Sequence, residues 1–395
     1  MKRRQWLRWG CAQCVACSGV ALAQTGGPSG SASAADLPAW AAPQRFTRPD
    51  LASDEGGLWA LMDREESRLR RSAFRMRDEA LLAYLSGIAC KLGGSHCPDI
   101  RVYPLRMPYF NASMAPNGMM QIWSGLLLRV DNEAQLAAVI GHEIGHYLMR
   151  HTLERLRDIK ARAAFGQFMG LFGIVGLMGQ LATLASAMAF SRDQERDADR
   201  IGLQLMRQTD YDPREAAKVW ANLQQELRAN PAGDPGVGSV MLATHPPSDE
   251  RRITLETLAA DAGGQTFEAE YRARLAPFRP QLLEDEVKRG RPDESLALLT
   301  RLLTVEPGQP ELLHFRAEAY RQRGKPEDTE PALADVQAAL QTGRAPTDSL
   351  RLLGQLQHRA GRQDAARDAW RQYLDRAPQA PDADMIRQQL QETTP

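Results

Sequence analysis

His142-Glu143-Ile144-Gly145-His146 sets two imidazoles four residues apart, with a carboxylate beside the first. Positions four apart share one face of an α-helix, so His142 and His146 can bind one zinc ion together. Glu143 then stands where a general base must stand to act on a zinc-activated water. The preceding run Ala137-Ala138-Val139-Ile140 is of the buried type, and two histidines and a glutamate are expensive side chains to carry into such a place. The plain alternative is a pair of hydrogen-bonded core histidines, or a purely structural metal site, and neither needs Glu143.

Zinc needs a third protein ligand. In the pattern His-x-x-Gly-x-x-His it is a histidine, but Met149 stands here for the glycine and Thr152 for the histidine, and His151 is one residue out of register and is set aside as a ligand. The other common solution is a glutamate from a later helix. Ser191-Arg192-Asp193-Gln194-Glu195-Arg196-Asp197-Ala198-Asp199-Arg200-Ile201-Gly202 suits it: Glu195, Asp199 and Gly202 fall on one helical face, with Ala198 beside them. Asp199, one turn beyond Glu195, can hold a ligand histidine from behind. Asp193, Arg196 and Asp197 read as solvated surface. Ala198 and Gly202 on one helix, and Gly141 and Gly145 on the other, would allow close approach. A helical glycine costs about 1 kcal/mol against alanine, so Gly145 implies that the approach is needed.

Together with Thr244-His245-Pro246-Pro247 and Arg251, these motifs resemble the HtpX/Oma/CAAX-protease family of zinc endopeptidases. With a leader ahead and repeats behind, the architecture is similar to the periplasmic beta-barrel assembly-enhancing proteases within it. The resemblance covers roughly residues 60–255 by motif. It implies zinc, one ion per chain, on His142, His146 and Glu195. It also implies that His245 can take the fourth zinc position and shut the site, and that Arg251 faces the same centre. The catalytic set is then Glu143 as base, with His245, Arg251 and Asp199 around it. Asn111-Ala112 would belong to a strand edge that pairs with extended substrate, a mode that gives affinity with little sequence preference. The substrates implied are unfolded or misassembled outer-membrane proteins, with the repeats as a surface for outer-membrane assembly machinery.

The elements that must position these groups can be sketched from periodicity. The pattern is helical from Leu58 to about Leu92, from Glu133 to Arg157 with Asp131 or Asn132 as cap, and from Ser191 to Arg207. Ile100-Arg101-Val102-Tyr103 and Gln121-Ile122-Trp123 read as short strands, with turn chemistry at Pro116-Asn117-Gly118 between them. The class expected is mainly α: an α+β metallopeptidase domain over 51–275, then helical repeats over 280–395. The breaks at Gly290, Gly324 and Gly361 are 34 and 37 residues apart, near the period of tetratricopeptide helix pairs.

Residues 1–23 read as a secretory leader: Lys2, Arg3, Arg4 and Arg8, then an uncharged stretch ending in Ala21-Leu22-Ala23. Residues 24–50 read as a flexible mature N-terminus. Three of the five cysteines fall in the leader, and in an oxidising compartment the remaining Cys90 and Cys97 are expected to form a disulfide loop. The location implied is periplasmic. Residues 163–191 carry no charged side chain, and Gly166, Gly170, Gly173, Gly176 and Gly179 recur along them. They read as a glycine-hinged hairpin near the active site that touches a membrane peripherally, with a true span as the alternative. Beyond residue 23, 45 basic residues face 49 acidic ones, and this balance gives no electrostatic reason to expect nucleic acid as a partner. A chaperone or adaptor with a latent or structural zinc site is the rival reading from another functional class.

Overall fold

The computed structural model describes residues 40–160, 190–229, 241, 244–246 and 248–392, and elements are numbered here among those residues. The leader, most of 24–50 and nearly all of the uncharged segment 163–191 lie outside them. Among the described residues no helix is long and apolar enough to cross a membrane.

The described chain is mainly helical around one small sheet. Helix α1 (Asp54–Arg71) starts at Ser53, whose hydroxyl accepts from the Gly56 N–H, and α2 (Glu79–Gly93) starts at Asp78 in the same way. The helical pattern read from Leu58 to about Leu92 is thus divided between two helices. Ser72 turns extended and Asp78 caps a new start, signals that a hydrophobic period does not carry. Strands β1 (Arg101–Leu105), β2 (Ala112–Met114) and β3 (Met119–Trp123) follow. They form a sheet of order β1-β3-β2, in which β1 runs parallel and β2 antiparallel to β3.

A short α3 (Ser124–Arg129) leads to α4 (Glu133–Leu148), capped by Asn132 through the Gln135 N–H. Every residue of α4 except Ala138 is buried, because α2, β2, α6 (Arg192–Arg207) and α7 (Glu215–Arg228) all pack on it. Its apolar members Leu136, Val139, Ile140 and Ile144 each gain roughly 1.5–3 kcal/mol from that burial. The expected run to Arg157 breaks at Arg150, which takes a left-handed φ of 59°, and α5 (His151–Lys160) begins at the next residue.

The approach of α4 to α6 is as close as the small residues suggested. A Cβ on Gly145 would lie 2.9 Å from the Ala198 carbonyl oxygen, and one on Gly202 would lie 3.0 Å from the His142 nitrogen. After α6 come α7, α8 (Asp249–Ala259) and α9 (Glu268–Leu275). Then α10 (Arg279–Lys288), α11 (Pro292–Val305), α12 (Pro310–Arg323), α13 (Thr329–Gln341), α14 (Asp348–Arg359), α15 (Gln363–Arg376) and α16 (Ala383–Glu392) follow, most packing on the next in sequence. Gly290, Gly324 and Gly361, at the three expected breaks, have φ of 72°, 73° and 75°, the left-handed stop that glycine adopts without steric cost.

Buried charges join this helical array to the first half of the chain. Arg129 Nε donates to Glu226 Oε2 and Nη2 to Glu286 Oε2, both at 2.8 Å, while Arg301 pairs with Asp131 and donates to the Arg129 carbonyl oxygen at 2.7 Å. Residues 40–50, expected within the flexible N-terminus, have no helix or strand but lie against the domain. Arg45 grips Asp99 through two hydrogen bonds of 2.7 and 2.6 Å, and the Phe46 ring sits 5.1 Å from that of Tyr147. The Gly/Ser/Pro composition of 24–50 as a whole hid these two anchors, Arg45 and Phe46. Cys90 and Cys97 are joined, with Cα atoms 4.4 Å apart.

Candidate metal centre

His142 and His146 project from α4 towards Glu195 on α6, and His245 enters from the loop before α8. These four buried residues offer one ligand atom each, all within 4.8 Å of one another. The ring nitrogens His142 Nε2 and His146 Nε2 are 3.1 Å apart, and His245 Nδ1 is 3.2 Å from His142 Nε2. Glu195 Oε1 lies 3.4 Å from His146 Nε2 and 2.8 Å from His245 Nδ1, and its Oε2 lies 3.7 Å from His142 Nε2. Four donors about 2.0–2.1 Å from a tetrahedral zinc are separated from each other by about 3.3–3.5 Å. The edges observed bracket that value, and the donor set of three imidazoles and one carboxylate is one that zinc takes.

Asp199, one turn after Glu195, stands behind His142: its Oδ1 is 2.9 Å from His142 Nδ1. Arg251 grips the same carboxylate at 2.8 Å through both Nε and Nη2, and its Nη1 lies 2.6 Å from Glu195 Oε2. Burial raises the Asp199 and Glu195 carboxyls. Arg251 outweighs that at Asp199, and His245 with its neighbouring imidazoles outweighs it at Glu195, so both end below the ordinary range. Burial holds His146 well below the usual imidazole value. These groups gain little stability from one another, since buried charge carries a desolvation cost of several kcal/mol per ion. Their arrangement fits a functional demand better.

Glu143, the residue after His142 on α4, adjoins the cluster. It accepts a hydrogen bond from the Met114 backbone, while its buried Oε1 has no hydrogen-bond partner among the described residues and lies 3.7 Å from His245 Nε2. Burial raises its carboxyl above the ordinary value. Met114 lies on the free edge of the sheet. Trp123 N–H donates to the Asn111 oxygen and Ala115 N–H to the Met119 oxygen, so the alternate residues Ala112 and Met114 turn their backbone groups away from β3. The strand edge expected around Asn111-Ala112 is thus Ala112–Met114, and it runs beside the base.

Three further side chains complete the wall. Phe190 stacks on His146 with centroids 4.1 Å apart, and its N–H donates to the Thr244 oxygen beside His245. Trp220 on α7 lies edge-on to His142 at 6.2 Å and carries the Arg251 guanidinium 4.3 Å over its ring. His151, set aside as a ligand on motif register, places Nδ1 3.0 Å from His146 Nδ1. Motif spacing does not reach Phe190 or Trp220. The one available cue for Phe190 was an aromatic residue directly before the Ser191 cap.

Residues 76–259 match the model of Peptidase family M48. All seven residues singled out from the sequence lie inside that match. The chain carries a peptidase family M48 domain. Among curated proteins, it is 34% identical to the mitochondrial metalloendopeptidase OMA1 of Arabidopsis thaliana over 159 residues, 40% of this chain and 31% of that one. It is 28% identical to the beta-barrel assembly-enhancing protease of Yersinia pestis over 231 residues, 53% of this chain and 46% of the relative. The protein of that name from Escherichia coli (strain K12) is 26% identical over 228 residues, 52% and 45% of the two chains. The chain spans less than half the length of each of these relatives. The M48 match and the four-donor cluster agree on a metallopeptidase centre.

Proposed function

We propose that this chain is a zinc endopeptidase of the bacterial periplasm that cleaves unfolded or misassembled outer-membrane proteins. The observation that carries the activity is one geometry: four donors at zinc-like spacing with the Glu143 carboxylate beside them, its Oε1 3.7 Å from His245 Nε2. His142, His146 and Glu195 would hold the ion, which supplies Lewis acidity towards a water and a peptide carbonyl when bound. Glu143 takes the proton from the attacking water and returns it to the leaving amine. Its raised carboxyl suits both halves of that exchange. The Ala112–Met114 edge aligns the substrate backbone as an added strand. Asp199, held by Arg251, fixes the His142 tautomer that leaves Nε2 free for the ion.

His245 supports a resting state that is shut. It occupies the fourth corner of the donor set, where a catalytic zinc site keeps an open position. Opening then follows from differential affinity: a substrate or a partner must bind the form in which His245 has moved away. The helices from α10 onward supply the surface for such a partner, and their 34- and 37-residue spacing supports a tetratricopeptide-like array. The periplasmic setting rests on the leader-like residues 1–23 and the Cys90–Cys97 pair. A peripheral membrane contact through 163–191 belongs to the same proposal. A latent chaperone or adaptor is the second reading, and the His245 corner is the observation that favours it.

Metal analysis and cleavage of casein and of an unfolded outer-membrane protein test this. One zinc per chain is expected, with cleavage lost on chelation and restored by zinc. A chain that binds zinc and cleaves neither substrate, with or without His245, would leave the adaptor reading.

A further inference from the structure

A zinc-ligating histidine uses one ring nitrogen for the metal and needs a partner for the other, because that partner decides which nitrogen carries the proton. His142 has the charged carboxylate of Asp199. Among the described residues His146 has no acid at that position. Its Nε2 faces the donor cluster, and 3.0 Å behind it, at Nδ1, lies Nδ1 of His151, a residue 3% exposed.

We propose that His151 is a positioning residue for the ligand His146, whose Nδ1–H it accepts on its own Nδ1, leaving His146 Nε2 free for zinc. This inference rests on the zinc reading above. The direction of the bond follows from the metal side: with the lone pair at Nε2 directed to the ion, the proton of His146 must sit on Nδ1. His151 then carries its proton on Nε2. His151 is not a fifth donor, because it lies on the far side of the His146 ring.

The backbone is bent to make this contact. On a straight helix, a residue five positions after His146 would point about 140° away from it. Instead Arg150 adopts φ 59°, a left-handed conformation that costs free energy in any residue with a Cβ, and α5 restarts with His151 turned back beneath His146. The bend is held from outside the helix. The Arg150 guanidinium pairs with Glu55 and lies 5.2 Å over the Phe46 ring, while the Leu153 and Glu154 N–H groups both donate to the Arg150 oxygen. Phe190, stacked on the His146 face, blocks rotation of the ring out of line. The two zinc histidines therefore have unlike supports, one anionic and one neutral.

The test is zinc affinity of the full chain by chelator competition, together with the absorption spectrum of the cobalt-substituted protein. His151→Leu keeps bulk and removes the acceptor. It is expected to weaken zinc about 10–100-fold, the usual effect of losing such a support, and to change the cobalt spectrum, with zinc-free melting unchanged. His151→Asn, whose amide oxygen can stand in for Nδ1, should restore most of the affinity. Wild-type affinity and spectrum in His151→Leu would overturn the proposal, and so would an equal loss in the Leu and Asn variants. If the Leu variant does not fold, Asn against His151→Gln, which shifts the acceptor outward, makes the same comparison: equal affinities overturn it, and tighter zinc with Asn supports it. Failure of the wild-type chain to bind zinc would instead strike the zinc reading itself.

Discussion

His142 Nδ1 and Asp199 Oδ1 lie 2.9 Å apart, buried, with Arg251 donating to both oxygens of the carboxylate at 2.8 Å. Arg251 keeps Asp199 ionised, and Asp199 keeps the His142 proton on the nitrogen away from the cluster. Asp199→Asn retains shape and removes the charge. We expect zinc to bind about 10–100-fold more weakly, with cleavage at saturating zinc reduced far less. Unchanged zinc affinity by chelator competition would show that Asp199 serves only to neutralise Arg251.

The α4–α6 contact separates glycines that are required from one that is not. On Gly145 and Gly202 an added Cβ meets backbone at 2.9–3.0 Å, whereas on Gly141 the nearest atom is 3.4 Å away. Gly141→Ala should be neutral or stabilising by up to about 1 kcal/mol, from helix propensity. Gly145→Ala and Gly202→Ala should lose about 1–3 kcal/mol through overpacking, and Gly145→Ala should also weaken zinc by shifting Glu195. Urea unfolding of the zinc-free chains gives the order directly; equal stability of all three would contradict the packing described.

Acid sensitivity should centre on Glu66. Burial raises its carboxyl, but Arg101, Tyr103 and Arg70 outweigh burial and bring it from 4.5 to about 2. A carboxyl lower in the folded than in the unfolded state stabilises fully above about pH 4.5, and the gain is lost as pH falls towards 2. Glu66→Gln should therefore cost about 2 kcal/mol at neutral pH, as for hydrogen bonds to a charged group, and progressively less below pH 4.5. A constant difference between variant and wild type across that range would refute it.

The latch makes a prediction opposite in sign to a catalytic role. If His245 closes the fourth position, His245→Ala keeps zinc on the remaining three ligands and raises casein cleavage and self-cleavage. If His245 is instead an oxyanion donor, both fall by about two to three powers of ten.

The motifs made the metal site legible because helical spacing is local: His142, Glu143, His146, Glu195 and Asp199 needed two helices and their faces. The small residues Gly145, Ala198 and Gly202 even announced the contact between those helices. Less was legible wherever tertiary packing decides. Phe190 and Trp220 have no spacing relation to the ligands they touch. His151 was set aside on motif register alone, and the bend at Arg150 that turns it under His146 carries neither glycine nor proline to announce it. Periodicity did not show strand β2, since three residues inside a turn-rich stretch give no period to read; only the resemblance pointed to a strand edge there.

The central claim is that Glu143 is the base at a zinc centre, and Glu143→Gln tests it most directly. The amide keeps the size of the side chain and cannot take a proton from water, while His142, His146 and Glu195 remain. Zinc stoichiometry and casein cleavage should be measured on the same preparation. The account predicts one zinc per chain with cleavage abolished; cleavage within a few-fold of wild type, with zinc bound, would contradict it.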